Sequence, residues 1–315
     1  MNKQVGRKRY SVVVDCGNYT TKANYYDSDF TKGEGGVTIF TLASNGRDRI
    51  NQNAYIVKYK GEDYVIGDVN KTANVNIHTS KMDLTHKLAT LVAIHSLVPN
   101  GAEVELFVGM PIQSFYNVEH RDEYVNYYLQ EGGVELVVNN VKKTFTIAKV
   151  VALPESVGHV FNYPSDSLIG VIDIGYTTVD ASVFHECSPI KETVFSLVEG
   201  ANSFVTQARD SLLKELLVNY PEWQMNEILT KGVIGDKAQK VKEIVYNCKI
   251  DYLRKLANQM VKHGWEIDSL PIIFTGGGSI LLAEVINDFE TFTLSENPIY
   301  DNLDGFVEMG MILNE

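Results

Sequence analysis

The chain has 315 residues, 44% hydrophobic and 22% charged, with a formal net charge of −12. That length is long for a single core and suits two domains, and the composition is that of an ordinary globular protein. The acidic balance argues against direct nucleic-acid binding through a broad basic face. The apolar stretches fall short of a membrane span. Cys16, Cys187 and Cys248, far apart and without C-x-x-C, suit reduced thiols in the cytoplasm.

In chain order, a basic lead-in over residues 1–9 meets residues 10–14, too short for a signal-peptide core and ended by Asp15. Residues 11–14 and 21–26 read as a hairpin. After a Gly-rich loop at 33–36, segments 38–42, 54–59 and 63–66 are β-rich, expected as a small accessory subdomain within about 30–100. Leu84, Leu88, Leu91, Val92 and His95 give helical spacing over 84–97. A strand over 103–110, a helix over 116–130 and a hairpin of 134–138 with 143–150, turning at Asn139-Asn140, follow. Residues 155–161 read as a short helix before a linker at 163–166. Segments 168–173, 177–185 and 192–197 form a second meander. Gly200-Ala201-Asn202-Ser203 caps a helix over 204–217, residues 235–263 form a long helical region, and 281–289 a final helix whose first amides would face a nucleotide. The seven histidines, including His78, His86 and His159, show no metal-ligand spacing.

Three segments carry chemistry. Asp15-Cys16-Gly17-Asn18-Tyr19-Thr20-Thr21-Lys22 and Asp173-Ile174-Gly175-Tyr176-Thr177-Thr178-Val179-Asp180 each follow an apolar run and are near copies, suggesting an internal duplication. Thr275-Gly276-Gly277-Gly278-Ser279 follows a third. Gly lets backbone approach a ligand, successive turn amides make an anion cradle, and Thr20, Thr21, Thr177 and Thr178 offer hydroxyl donors. Asp15 and Asp173 would repel a bare phosphate and call for Mg²⁺ as mediator, while Lys22 offers a positive charge. A single D-x-G is equally a plain β-turn. Two copies and a Gly triplet in this order point to nucleotide binding, the triplet holding the nucleoside. The chain has no G-x-x-x-x-G-K-[ST] and no G-x-G-x-x-G after a strand.

In these motifs the chain resembles the actin-like ATPase superfamily. The Asp15 segment is similar to the family's first phosphate loop, the Asp173 segment to its second, and Thr275 to Ser279 to its adenosine motif. Leu153-Pro154-Glu155-Ser156 resembles the first connecting segment, and Asp304-Gly305-Phe306 with Met309-Gly310 the second. The resemblance implies an α/β actin-like ATPase fold, two duplicated ribonuclease-H-like domains around a nucleotide cleft. Domain I would be 1–165 plus 296–315 and domain II 166–295.

It also implies ATP or GTP with Mg²⁺ held by Asp15 and Asp173. Asn18, Tyr19, Tyr176, Gly276, Gly277, Gly278 and Ser279 would lie among the nucleotide contacts, and Glu155 and Asp173 would be catalytic. Within the superfamily the pattern looks most like ParM-type plasmid-segregation proteins, implying self-assembly into head-to-tail filaments and a DNA-binding adaptor as partner. The alternatives are a non-polymerising regulatory ATPase, for which little chain follows the Gly triplet, and a small-molecule kinase, for which no second catalytic Asp stands out.

Overall fold

The computed structural model describes residues 8–27, 33, 35–41, 43–45, 54–67, 81–158, 160–164 and 166–314. The lead-in before Lys8, Leu42, His78, His159 and Ser165 lie outside the described residues. The chain divides into two compact units, Met1–Glu155 with Asn302–Glu315, and Ser156–Asp301.

The first unit carries β1 (Arg9–Cys16), β2 (Thr20–Tyr26), β3 (Val37–Phe40), β4 (Ala43–Asn45), β5 (Tyr55–Tyr59), β6 (Glu62–Ile66), α1 (Leu84–Leu97), β7 (Ala102–Met110), α2 (Ile112–Phe115), α3 (Val118–Leu129), β8 (Gly133–Val138) and β9 (Val141–Pro154). Its sheet runs β3-β2-β1-β7-β9-β8-β5-β6-β4. Strands β1 and β7, paired in parallel, are buried along almost their whole length, which is why residues 12–14 and 106–108 read as apolar runs. The β-rich segments expected as an accessory subdomain extend this sheet: β5 pairs with β8, and β6 with β5 and β4.

The second unit carries β10 (Ile169–Ile174), β11 (Val179–His185), β12 (Ser188–Pro189), β13 (Phe195–Leu197), α4 (Ala201–Leu216), α5 (Glu222–Lys231), α6 (Ala238–Lys262), β14 (Ile272–Thr275), α7 (Ala283–Ile286) and β15 (Phe292–Leu294). Helix α8 (Asp301–Asn314) leads back into the first unit. Strand β10 lies antiparallel to β11 and parallel to β14, which is parallel to β15, and β13 is antiparallel to β11. The first unit repeats this logic: β3 antiparallel to β2, β2 antiparallel to β1, then β7 and β9 in parallel. The duplication suggested by the two Asp-Gly-Thr segments is therefore one of strand order as well. Helix α6 packs against α4 and buries Val241, Ile244, Val245, Cys248, Tyr252, Leu256 and Met260, a stripe at three- and four-residue steps.

Three helix boundaries differ from expectation. The helix expected over 116–130 begins at Val118, after the separate short α2, because Asn117 leaves the helix to cap α3, its side chain accepting from His120 N at 3.2 Å. Among the described residues of 155–161 there is no α-helix. Strand β9 stays paired with β7 up to Pro154, Glu155 N donates to Met110 O at 2.9 Å, and Ser156 takes φ 70°, which a right-handed helix excludes. Residues 281–289 form the four-residue α7 between tight i→i+3 turns, not a long helix. Among the described residues no helix is long and apolar enough to cross a membrane.

Candidate nucleotide site

Each unit presents one hairpin with the same geometry. In the first, Asp15 pairs with Lys22 and Cys16 with Thr21 across the strands, and Gly17 N donates to Thr20 O at 3.0 Å. In the second, Asp173 pairs with Asp180 and Ile174 with Val179, and Gly175 N donates to Thr178 O at 2.9 Å. The glycines are demanded by the closure: a Cβ on Gly17 would stand 2.9 Å from Thr20 O. Both aspartates are buried at the ends of central strands, where β1 and β10 deliver them to the turn.

The first hairpin is internally wired. Lys22 Nζ lies 2.5 Å from Asp15 Oδ2, so its charge is answered by the neighbouring carboxylate. The Thr21 hydroxyl is 2.9 Å from that of Thr41, which donates to Gly17 O at 2.5 Å. Thr21 is thus turned into the core, whereas Thr20 is half-buried and Tyr19 exposed on the turn. Cys16 packs beneath, 3.2 Å from the Thr21 hydroxyl, and burial pushes its thiol up to about 11. It is a core residue, not a reactive thiol.

The second hairpin is clasped by the start of α4 and by the Gly triplet. Ala201 N and Asn202 N donate to Gly175 O and Tyr176 O, both at 2.9 Å. A Cβ on Gly200 would stand 2.6 to 2.7 Å from backbone atoms of Gly175, Thr177 and Thr178. Gly276 has φ 80°, and Gly278 N donates to Ile174 O at 2.9 Å. A Cβ on either would collide with Ile174. Gly277 has nothing within 4 Å of its Cβ direction and is exposed. The triplet therefore combines two packing glycines with one that faces open space. Ser279 is turned inward, its hydroxyl donating to Gly276 O at 2.6 Å. Thr275 donates to Asp301 Oδ2 at 2.5 Å, tying β14 to the start of α8.

Glu155 ends β9 beside Gly109 and Phe306. A Cβ on Gly109 would lie 3.4 Å from Glu155 Oε1 and 2.5 Å from the Phe306 ring. The sequence reading missed its partner. Lys81, just before the Asp83 that caps α1, forms a buried ion pair with Glu155. Burial alone would lower the Lys81 pKa, but the Glu155 and Asp15 carboxylates overturn that and hold its ammonium well above the ordinary range. No local pattern signals Lys81, because its partner is 74 residues away.

Among the described residues no three His, Cys, Asp or Glu side chains are grouped to cage a metal. Asp15 in the first hairpin, and Asp173 opposite the equally buried Asp180 in the second, offer the carboxylate oxygens that a hard cation takes alongside waters and phosphate oxygens, the habit of Mg²⁺, so the donor set fits.

Two family models match the chain: that of the N-terminal domain of actin-like proteins over residues 13–158, and that of the C-terminal domain of archaeal MreB-like actin homologues over residues 171–288. The chain belongs to the actin-like superfamily. Solved structures agree on the fold of this actin-like protein. It is similar to an Alp12 filament structure, with 21% identity, 97% of this chain and 99% of that chain covered, and a TM-score of 0.70. A 15-stranded ParM filament from Clostridium botulinum matches with 17% identity, 96% and 99% coverage and a TM-score of 0.72. The archaeal actin homologue Ta0583 in complex with ADP matches with 16% identity, 95% and 98% coverage and a TM-score of 0.70. No curated protein matches the sequence.

Proposed function

We propose that this actin-like protein is a cytoplasmic ATPase, or GTPase, that assembles head to tail into nucleotide-dependent filaments and segregates plasmid DNA through a DNA-binding adaptor. The observation that carries the reading is the pair of hairpins in identical register, each delivering a buried aspartate to a glycine-closed turn. The ADP in the Ta0583 structure supports a nucleotide, and the Alp12 and ParM filament structures support self-assembly.

In this reading the turn amides, Thr20 and Thr178 receive phosphate oxygens. Asp15 and Asp173 would hold Mg²⁺, which would supply charge neutralisation of the phosphates. Asp173 also serves the reaction by this placement. Glu155 orients the attacking water and takes its proton, since phosphoryl transfer asks mainly for positioning and charge. Gly277 offers an open surface for the nucleoside. Head-to-tail contacts are heterologous and so give an open polymer. A net charge of −12 opposes association, so assembly strengthens with salt screening.

The test is light scattering of the purified chain with Mg²⁺–ATP, Mg²⁺–GTP, ADP or EDTA, with phosphate release in parallel. Scattering that rises only with triphosphate and Mg²⁺, then decays as phosphate appears, is the expected result. Phosphate release with flat scattering removes the filament and leaves a non-polymerising ATPase.

A further inference from the structure

The side chain of Lys81 is closed in beside Glu155. The side chains of the pair are 6% and 7% exposed. Around them stand Gly109 and the ring of Phe306, so the carboxylate has an apolar wall on one side. A buried ion pair is a poor stabilising device, because desolvation of both charges offsets most of their attraction. An apolar pair of the same volume often serves stability as well or better. The backbone on both sides is also held in a sparsely populated conformation: Lys81 has φ 52° and Ser156, next to Glu155, has φ 70°. Ser156 is fixed there, fully buried, with its hydroxyl donating to Asp180 O at 3.2 Å. Left-handed backbone at a non-glycine residue persists where surrounding structure enforces it, and such positions cluster at functional sites.

Resting on the hydrolase reading of Glu155, we propose that Lys81 is a positioning residue for phosphoryl transfer, its ammonium fixing the orientation of the Glu155 carboxylate toward the attacking water. Lys81 itself takes no proton in the step. The bond from water oxygen to the terminal phosphorus forms, the bond to the leaving phosphate oxygen breaks, and the water proton passes to Glu155. Without Lys81 the carboxylate swings in its apolar corner, and the chemical step slows while nucleotide binding, which uses the hairpins, does not.

The experiment compares the parent chain with Lys81→Met, Lys81→Arg, Glu155→Gln and the double variant Lys81→Met/Glu155→Gln. It measures kcat for phosphate release, the dissociation constant of a fluorescent ATP analogue, and thermal unfolding. Lys81→Met should lower kcat 10- to 100-fold with nucleotide affinity within threefold of the parent. Lys81→Arg should recover part of the rate, and the double variant should be no slower than Glu155→Gln alone, because two residues acting as a unit do not add. The double variant removes both charges together, so it stays folded if the lone buried carboxylate of Lys81→Met unfolds the chain. Its rate matching that of Glu155→Gln then carries the proposal. A kcat of Lys81→Met within threefold of the parent, or a double variant slower by the full product of the single effects, overturns it. A parent chain that releases no phosphate with any nucleotide removes the hydrolase reading and this proposal with it, whereas an active parent with an unimpaired Lys81→Met removes this proposal alone.

Discussion

His86 Nε2 lies 3.0 Å from Asn18 Oδ1, so the first turn of α1 is bonded to the tip of the first phosphate hairpin. The other ring nitrogen is 2.6 Å from Asp83 Oδ2, and Asp83 Oδ1 accepts from Thr85 N at 2.8 Å and His86 N at 3.1 Å. Burial would raise the Asp83 carboxyl, but its hydrogen bonds to His86 prevail and hold it below the ordinary value. One aspartate thus caps a helix, orients an imidazole and, through it, steadies the loop. Loss of this bond costs about 1–2 kcal/mol. His86→Ala is therefore expected to weaken nucleotide binding about tenfold, read by titration with a fluorescent ATP analogue. An unchanged affinity would show that the loop holds its shape without α1.

The three glycines of the triplet should separate by role. Gly278→Ala drives a Cβ into Ile174 and the Ala201 methyl, 2.5 to 2.9 Å away, and is expected to cost about 1–3 kcal/mol in denaturant unfolding. The Cβ of Gly277→Val meets nothing within 4 Å, and the exposed substitution should change unfolding by less than about 0.5 kcal/mol. If the nucleoside lies over this turn, Gly277→Val weakens nucleotide binding all the same. Full affinity in Gly277→Val moves the nucleoside elsewhere.

Glu155→Gln keeps the shape of the side chain and removes its basicity. Phosphate release is expected to fall at least 100-fold, within the usual span for loss of a general base. Nucleotide affinity should stay close to that of the parent. Scattering after Mg²⁺–ATP addition should then rise as in the parent and fail to decay. Normal turnover in this variant would remove Glu155 from the chemistry.

Away from the site, Glu131 sets an acid limit on stability. Its carboxylate meets Lys87 Nζ at 2.7 Å, Lys60 Nζ at 2.9 Å and the Tyr59 hydroxyl at 2.5 Å. Burial opposes ionisation, but hydrogen bonds from Lys87, Tyr59 and Lys60 hold the carboxyl down to about 2, against 4.5 ordinarily. The folded-state value is depressed, so the stabilisation is fully present above about pH 4.5 and drains away as pH falls toward 2. Discounting for the exposed Lys60, it is on the order of 2 kcal/mol. Urea unfolding of the parent and Glu131→Gln should differ by that amount at pH 7, and the difference should shrink below about pH 4.5 and vanish near pH 2. A constant difference from pH 7 to 3 would show that the charge is not the source.

The sequence by itself determined the strands that carry the chemistry and their order. β1, β7, β10 and β14 are buried on both faces, so each carries an apolar stretch (residues 12–14, 106–108, 171–172 and 272–274), and the Asp-x-Gly that ends β1 and β10 marks the turn where the strand stops. α1 and the Asn139-Asn140 turn were legible for the same local reason: helical spacing in one, and two residues that tolerate φ 48° and 67° in the other. Only the tertiary structure decided what the polar residues of the site do. Lys22 and Thr21 look alike as ligand donors in a motif, yet one is ion-paired to Asp15 and the other turned into the core. Glu155 belongs to a strand end and not a helix, because pairing with β7 outweighs its local preference. Lys81 and His86 reach the site across 74 and 68 residues of chain. Apolar burial is written in short periodic patterns, whereas a buried charge is defined by the partner that the folded chain brings to it.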